Sequence, residues 1–165
     1  MATVLPPRVY LAIGLILTHP RFHPIHRRLY AWTGGRGPVG RALGMDMLLV
    51  ETRGRKTDEP RIVPLGAVRD GTSWILIASN AGKDRMPAWV HNLRAAPGVV
   101  VDHDGQRRPF RAREIELDGD EYERVWGLVT RAYPGYDVYR QRTERRIPVF
   151  VLEPVDDATR PAAGA

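Results

Sequence analysis

The stretch from Met47 to Leu65, MLLVETRGRKTDEPRIVPL, constrains the fold more than any other part of the chain. Met47 to Thr52 and Ile62 to Val68 are rich in apolar and β-branched residues, the composition of strands, and between them Gly54, Asp58, Glu59 and Pro60 supply turn chemistry. The reading is an antiparallel hairpin. Its bend gathers Arg53, Arg55, Lys56 and Arg61 into nine positions together with the Thr57 hydroxyl. Several donors converging on one place suit a phosphate or a carboxylate, although a hairpin tip whose charges simply face water has the same composition.

The pattern then repeats. A third apolar segment, Trp74 to Ser79, follows the Asp70-Gly71 turn, and Val99 to Asp102 with Arg107 to Glu116 forms another hairpin around Asp104-Gly105, with His103 expected exposed at its tip. Pro148 to Leu152 is a last strand, stopped by Pro154. Helices are expected at the start of the chain, after the third strand from Pro87 onward, and over Gly119 to Ala132. In the last of these Asp118 is the expected cap, and Tyr122, Val125, Trp126 and Val129 repeat at three and four. About six strands joined mostly by hairpins predict a mainly β protein with helices, a small antiparallel barrel in which closure removes the sheet edges.

A chain of 165 residues holds one domain with a sizeable core. With 43% hydrophobic and 27% charged residues it has the balance of a folded protein. Residues 1–45 are expected to form N-terminal helices and a Gly-rich connector, 46–154 the barrel, and 155–165 a disordered tail. The absence of cysteine excludes disulfides, thiolate catalysis and thiolate metal sites. A formal charge of +6, nearly all of it from arginine, favours an acidic partner. The apolar run Val9 to Leu17 is about half the length of a bilayer crossing and lacks a signal-cleavage pattern, so a cytoplasmic protein is expected. A basic aromatic segment follows that run, so residues 1–33 either touch an anionic membrane face peripherally or cover the domain.

Further candidates for chemistry come from three places. Ala78, Ser79 and Asn80 are small or polar groups at a strand end, where backbone amides let a planar ligand approach, and Trp89 and Asn92 on the next helix offer a wall and a hydrogen-bonding handle. Tyr133, Tyr136 and Tyr139 are three apart, so they share a side and either pack in the core or line a cavity. Gly35, Gly37 and Gly40 match a dinucleotide fingerprint by spacing alone, since a helix pattern precedes them and Pro38 sits where the helix would begin. His23 and His26 lack a third ligand nearby, and no metal site is expected.

Taken together, LLVETRGRKTDEPRIVPL, the DG turn before WILIASN, the PAW-xx-NL-xxx-P stretch from Pro87 to Pro97 and YPGYDVYRQRTERRIPVFVLEP resemble the deazaflavin-dependent nitroreductases and quinone reductases of the split β-barrel flavin-binding group. The resemblance spans about Asp46 to Pro154. It implies a split barrel holding reduced coenzyme F420, whose hydride goes to a quinone-like or nitroaromatic acceptor. On this basis Arg55, Lys56 and Arg61, with Thr57 in the same turn, would hold the cofactor's phosphate and acidic tail. Backbone near Val63, Pro64, Leu65, Ala78, Ser79 and Asn80 would meet the ring, with Trp89 and Asn92 in support. Ser79, Tyr133, Tyr136 and Tyr139 would form the acceptor pocket. The sequence departs from the family pattern at Asp58, where a glycine is usual, at Ala81 and Lys83, and at Val90.

Two rival classes accompany this reading: a relative in the same barrel that binds FMN, haem or another flavin-like cofactor, and a non-catalytic cofactor-binding protein. Nucleic acid is not expected as a partner, because the cations gather at one hairpin and one late helix without a strand-wide aromatic platform. A homodimer fits the reading but is not specified by it.

Overall fold

The computed structural model describes residue 6 and residues 8–12, 41–42 and 45–155. The second helix expected near the N-terminus, the glycine fingerprint, His23, His26 and the tail beyond residue 155 lie outside the described residues. Residues 8–12 are helical. Among the described residues seven strands follow: β1 Arg41–Ala42, β2 Met45–Arg53, β3 Pro60–Asp70, β4 Ser73–Ile77, β5 Gly98–His103, β6 Gln106–Glu114 and β7 Val149–Pro154. Helix α1 (Ala88–Ala95) lies between β4 and β5, and α2 (Asp120–Ala132) and α3 (Gly135–Arg142) lie between β6 and β7.

All pairings are antiparallel, in the order β1-β2-β3-β4-β7-β6-β5, and β5 returns to β2. Six strands therefore close a barrel. The outer edge of β2 is shared: β1 pairs beside Met45 and Asp46, and β5 takes over from Leu49 to Glu51. The two-residue β1 falls within the stretch expected to be only a connector. Two-residue loops join β3 to β4 and β5 to β6, and in the second Asp104 and Gly105 both have positive φ, the backbone that matches the twist of a tight hairpin.

Alternation along the strands explains two cores. Leu48, Val50, Trp74, Leu76, Phe150 and Leu152 point into the barrel, where α1 closes one end with Trp89, Val90 and Leu93. The intervening Ile75, Ile77, Val149 and Val151 point outward and are covered by Tyr122, Val125, Trp126 and Val129 of α2 and by Tyr136 and Tyr139 of α3. β4 and β7 are thus buried on both faces, which is why they read as continuous apolar runs. β6 shows the opposite case, with Phe110 and Ala112 buried and Arg111 and Arg113 exposed in alternation with them.

Two expectations change. α2 starts from Gly119 without a side-chain cap, because Asp118 pairs instead with Arg146. His103 is not a free tip residue: its ring lies 4.8 Å from that of buried Trp74, and its Nε2 is 3.6 Å from Asp46 Oδ1. Residues 8–12 follow the covering alternative of the two given for the N-terminal segment, since Tyr10 is 4% exposed and its ring meets Tyr133 edge-on at 5.2 Å. Among the described residues no helix is long and apolar enough to cross a membrane.

Candidate functional site

A cavity of about 880 Å³ opens between the β2–β3 turn, the adjoining part of β3, the start of α1, the turn after β4 and α3. Each wall has a local cause. At the mouth, the β2–β3 turn folds back on Gly54, whose carbonyl accepts from Thr57 N–H at 3.1 Å and Asp58 N–H at 2.7 Å while its own N–H donates to Glu59 O at 2.8 Å. Asp58 has φ +55°, the left-handed backbone that a glycine adopts without strain.

Side chains finish the turn. Arg53 Nη1 donates to Asp58 O at 3.1 Å and Arg61 Nη2 to Thr57 Oγ1 at 3.3 Å, so these two arginines brace the bend. Arg55 and Lys56 are exposed and line the cavity. Among the described residues Arg94, Arg107, Arg113, Arg124 and Arg146 pair with carboxylates, and none of them lines it. The mouth therefore presents cations to whatever enters.

The structure brings together at this cavity Arg55, Lys56, Thr57, Arg61, Val63, Pro64, Leu65, Ser79, Asn80, Trp89, Asn92, Tyr133, Tyr136 and Tyr139, every residue that the resemblance assigns to the site except Ala78. Ala78 is fully buried and its carbonyl accepts from Arg145 Nη2 at 2.9 Å, so it stands behind the wall. Asn92 is a fastener more than a handle: Nδ2 donates to Thr52 Oγ1 at 3.1 Å and Oδ1 accepts the Arg55 N–H at 3.0 Å, tying α1 to the cationic turn. Trp89 packs edge-on against Phe150 at 5.6 Å between ring centres.

The tyrosines share a side, as their spacing predicts, and their hydroxyls are already engaged. Tyr139 Oη donates to the Tyr10 carbonyl at 2.7 Å and stands 2.9 Å from Tyr133 Oη, which leaves Tyr133 as the donor of that pair. Tyr136 Oη donates to Met45 Sδ at 3.2 Å. Gly135 makes the cluster possible, because a Cβ there would sit 2.4 Å from the Tyr133 ring. Burial pushes all three hydroxyls above the usual phenol range, furthest at Tyr133 and Tyr136, with the Tyr139 bond adding to the effect at Tyr133. They stay neutral and serve as donors. Tyr136 is the one most readily redirected, since a thioether is a weak acceptor.

Sequence reasoning missed Met45, Met47, Met86, Arg85 and His91, which also line the cavity. Met45 and Met47 were legible in principle, being on the face of β2 opposite Leu48 and Val50. It also missed Arg145, which is half-buried and bonds three carbonyls around the turn after β4. Nothing in RTERRIP distinguishes it from Arg142 or Arg146.

The arrangement fits a flat, acidic ligand. Apolar strand residues and methionines give a dry slot, Gly66 keeps β3 clear of Met45 and Met47, and the cations stand at one end.

Comparison with known proteins agrees with this chemistry. Residues 24–154 match the model of the family described as F420H(2)-dependent quinone reductase. The F420H(2)-dependent quinone reductase Rv1261c of Mycobacterium tuberculosis is 35% identical over 131 residues, covering 78% of this chain and 87% of that protein. Among solved structures, one titled as an F420-H2 dependent reductase is 38% identical with a TM-score of 0.60, covering 65% of this chain and 93% of the other. Another, described as a domain-swapped dimer, is 33% identical with a TM-score of 0.62, covering 79% and 96%.

Proposed function

Because the chain belongs to the F420H(2)-dependent quinone reductase family, we propose that it transfers a hydride from reduced coenzyme F420 to a quinone-like or nitroaromatic acceptor. The observation that carries this reading is the single cavity wall that runs from the cations Arg55 and Lys56 to the neutral tyrosine donors Tyr133, Tyr136 and Tyr139. One end suits a phosphate and a carboxylate tail, the other an uncharged oxidant.

When bound, F420 supplies the hydride chemistry at C5 of its deazaflavin ring. The chain does the rest. Arg55, Lys56 and Arg61 would bind the acidic tail through charge-assisted hydrogen bonds. Val63, Pro64, Leu65, Ser79, Asn80 and Trp89 would hold the ring flat and exclude water. Tyr136 Oη would leave Met45 Sδ and donate to the acceptor oxygen on which negative charge develops, the interaction that gains most as charge arrives. Fixing the distance between ring and acceptor is the larger part of the work.

Titration with F420 and FMN side by side, followed by turnover of a menadione-like quinone and a nitroaromatic, tests the proposal. F420 is expected to bind more tightly and to support turnover. Tighter FMN binding would replace the cofactor, and F420 binding without turnover of any acceptor would leave a cofactor-binding protein.

Two finer features are part of the proposal. A homodimer is supported by the relative described as a domain-swapped dimer, and light scattering at working concentration decides it. Peripheral contact of residues 1–33 with anionic lipid is motivated by the apolar run followed by arginines. Full-length protein that ignores anionic vesicles at low salt in co-sedimentation would end that idea.

A further inference from the structure

The turn after β4 is held in an unusual backbone by a side chain from the far end of the domain. Asn80, Ala81 and Gly82 have φ of +47°, +55° and +73°, three left-handed residues in a row. Only the last is a glycine, and the left-handed region costs other residues roughly 1–2 kcal/mol each, less for asparagine. Local bonds, Gly82 N–H to Ser79 O and Lys83 N–H to Asn80 O, close the turn but do not choose its hand.

Arg145 does. Its Nη2 donates to the carbonyls of Ala78 and Ser79, each at 2.9 Å, and its Nε donates to the Lys83 carbonyl at 3.0 Å. Three donors of one planar group thus bracket the left-handed residues from both sides. A second tie runs beside it, with Thr143 Oγ1 donating to Asp84 Oδ1 at 2.7 Å and accepting the Arg145 N–H at 3.3 Å. Gly82 packs so closely on α3 that a Cβ would lie 2.9 Å from Arg142 Cβ. Burial lowers the Arg145 pKa and Asp84 opposes the effect, and a guanidinium stays charged regardless.

The consequence reaches the cavity through peptide geometry. In a trans peptide the C=O and the following N–H point opposite ways. Carbonyls of Ala78 and Ser79 that face Arg145 therefore turn the N–H groups of Ser79 and Asn80 away from it. Ser79 and Asn80 line the cavity and Arg145 does not. Among the described residues no acceptor meets either N–H. Ser79 is 7% exposed, and a buried backbone donor is rarely left so unless a ligand or water completes it, while Asn80 is half-buried beside it.

We infer that Arg145 is a positioning residue of the cofactor site, holding the 78–83 turn left-handed so that the N–H groups of Ser79 and Asn80 meet a carbonyl oxygen of the planar ring. This rests on the deazaflavin reading above. Lysine cannot replace it, because an ammonium offers a point charge in place of a fork that spans three carbonyls.

The test is chemical rescue in the full chain. Apo thermal stability and the affinity for F420, followed by its fluorescence, are measured for wild type, Arg145→Ala and Arg145→Lys. Both variants are expected to bind F420 about tenfold or more weakly, as loss of a preorganised wall should. Millimolar guanidinium chloride, far below denaturing concentration, should restore several-fold affinity to Arg145→Ala and leave wild type unchanged, while ammonium chloride restores nothing. Wild-type affinity in Arg145→Ala, or a loss on which guanidinium acts no better than ammonium, overturns the inference. If Arg145→Ala does not fold, Arg145→Lys decides it. Unchanged affinity with an unshifted absorption band of the bound cofactor overturns the inference, and weaker binding with a shifted band supports it. Wild type that takes FMN in place of F420 would sink the functional reading alone, and the same rescue series on FMN then still decides Arg145.

Discussion

Asn92 offers a sharp test, because a ligand handle and a fastener predict different behaviour. Its side chain makes two bonds, Nδ2 to Thr52 Oγ1 at 3.1 Å and Oδ1 from Arg55 N–H at 3.0 Å, and Asn92→Ala removes both. At about 0.5–1.5 kcal/mol net each, the pair is worth about 1–3 kcal/mol. The groups left behind lower that figure. The Thr52 hydroxyl still donates to Arg61 O at 3.3 Å, and Arg55 is exposed, so water takes its N–H. A loss near 1 kcal/mol remains, or about 2–4 °C in Tm for a domain of this size.

The freed turn no longer holds Arg55 and Lys56 in place, so F420 should bind Asn92→Ala several-fold more weakly. Asn92→Asp keeps the acceptor for Arg55 N–H but loses the Nδ2 donor and sets a carboxylate beside the cations. Its F420 affinity should fall by about tenfold or more and recover in part as salt screens the added charge. Thermal unfolding and fluorescence titration at two ionic strengths read all of this. An Asn92→Ala protein with wild-type Tm and wild-type affinity, or an aspartate variant that binds as tightly as asparagine, would refute the reasoning.

Lys56→Ala should weaken F420 by about tenfold to a hundredfold, the loss of one charge-assisted contact of about 1.5–3 kcal/mol, with Tm unchanged; equal affinity at matched salt removes the turn from the site. Tyr136→Phe should lower turnover about tenfold or more with cofactor affinity intact, and wild-type rates on a menadione-like acceptor at saturating reduced cofactor would return Tyr136 to the core. Burial holds the hydroxyls of Tyr133, Tyr136 and Tyr139 above the unfolded value near 10, so the unfolded chain releases those protons first. Stability is then full below about pH 10 and falls above it by up to roughly 1.4 kcal/mol per pH unit for each tyrosine. Denaturant midpoints across that range should fall less steeply for Tyr136→Phe, and an identical slope would contradict the burial argument. Asp58→Gly relieves a left-handed aspartate and removes a carboxylate from the cationic turn while leaving the Arg53 bond to the residue 58 carbonyl in place. Several-fold tighter F420 binding is expected in the same titration, and weaker binding would mean that Asp58 helps to shape the turn.

Much of the barrel was legible because its information is local. Alternation fixes which face of a strand is buried, as buried Phe110 and Ala112 alternating with exposed Arg111 and Arg113 show, and Asp104-Gly105 names its own turn. The three-and-four spacing of Tyr122, Val125, Trp126 and Val129 likewise placed α2. The cationic turn was visible for the same reason, its charges being neighbours in the chain. Asp118 failed as a cap because a partner 28 residues away, Arg146, competes for its carboxylate, and no local pattern carries that information.

The sequence by itself determined the six barrel strands, their turns and most of the groups that converge on the cavity. Tertiary structure decided what each of those groups is free to do. Asn92 became a fastener because α1 lands on the β2–β3 turn. Tyr133 and Tyr139 became a relay ending on the Tyr10 carbonyl because the N-terminal segment packs across them. Arg145, one arginine among many, became a clamp because barrel closure sets β7 beside β4 and brings residue 145 to the turn at residues 78–83. Strand and turn preferences act over a few residues and can be read along the chain. The partner of a hydrogen-bonding side chain depends on which distant backbone the fold sets beside it, and only the closed barrel supplies that.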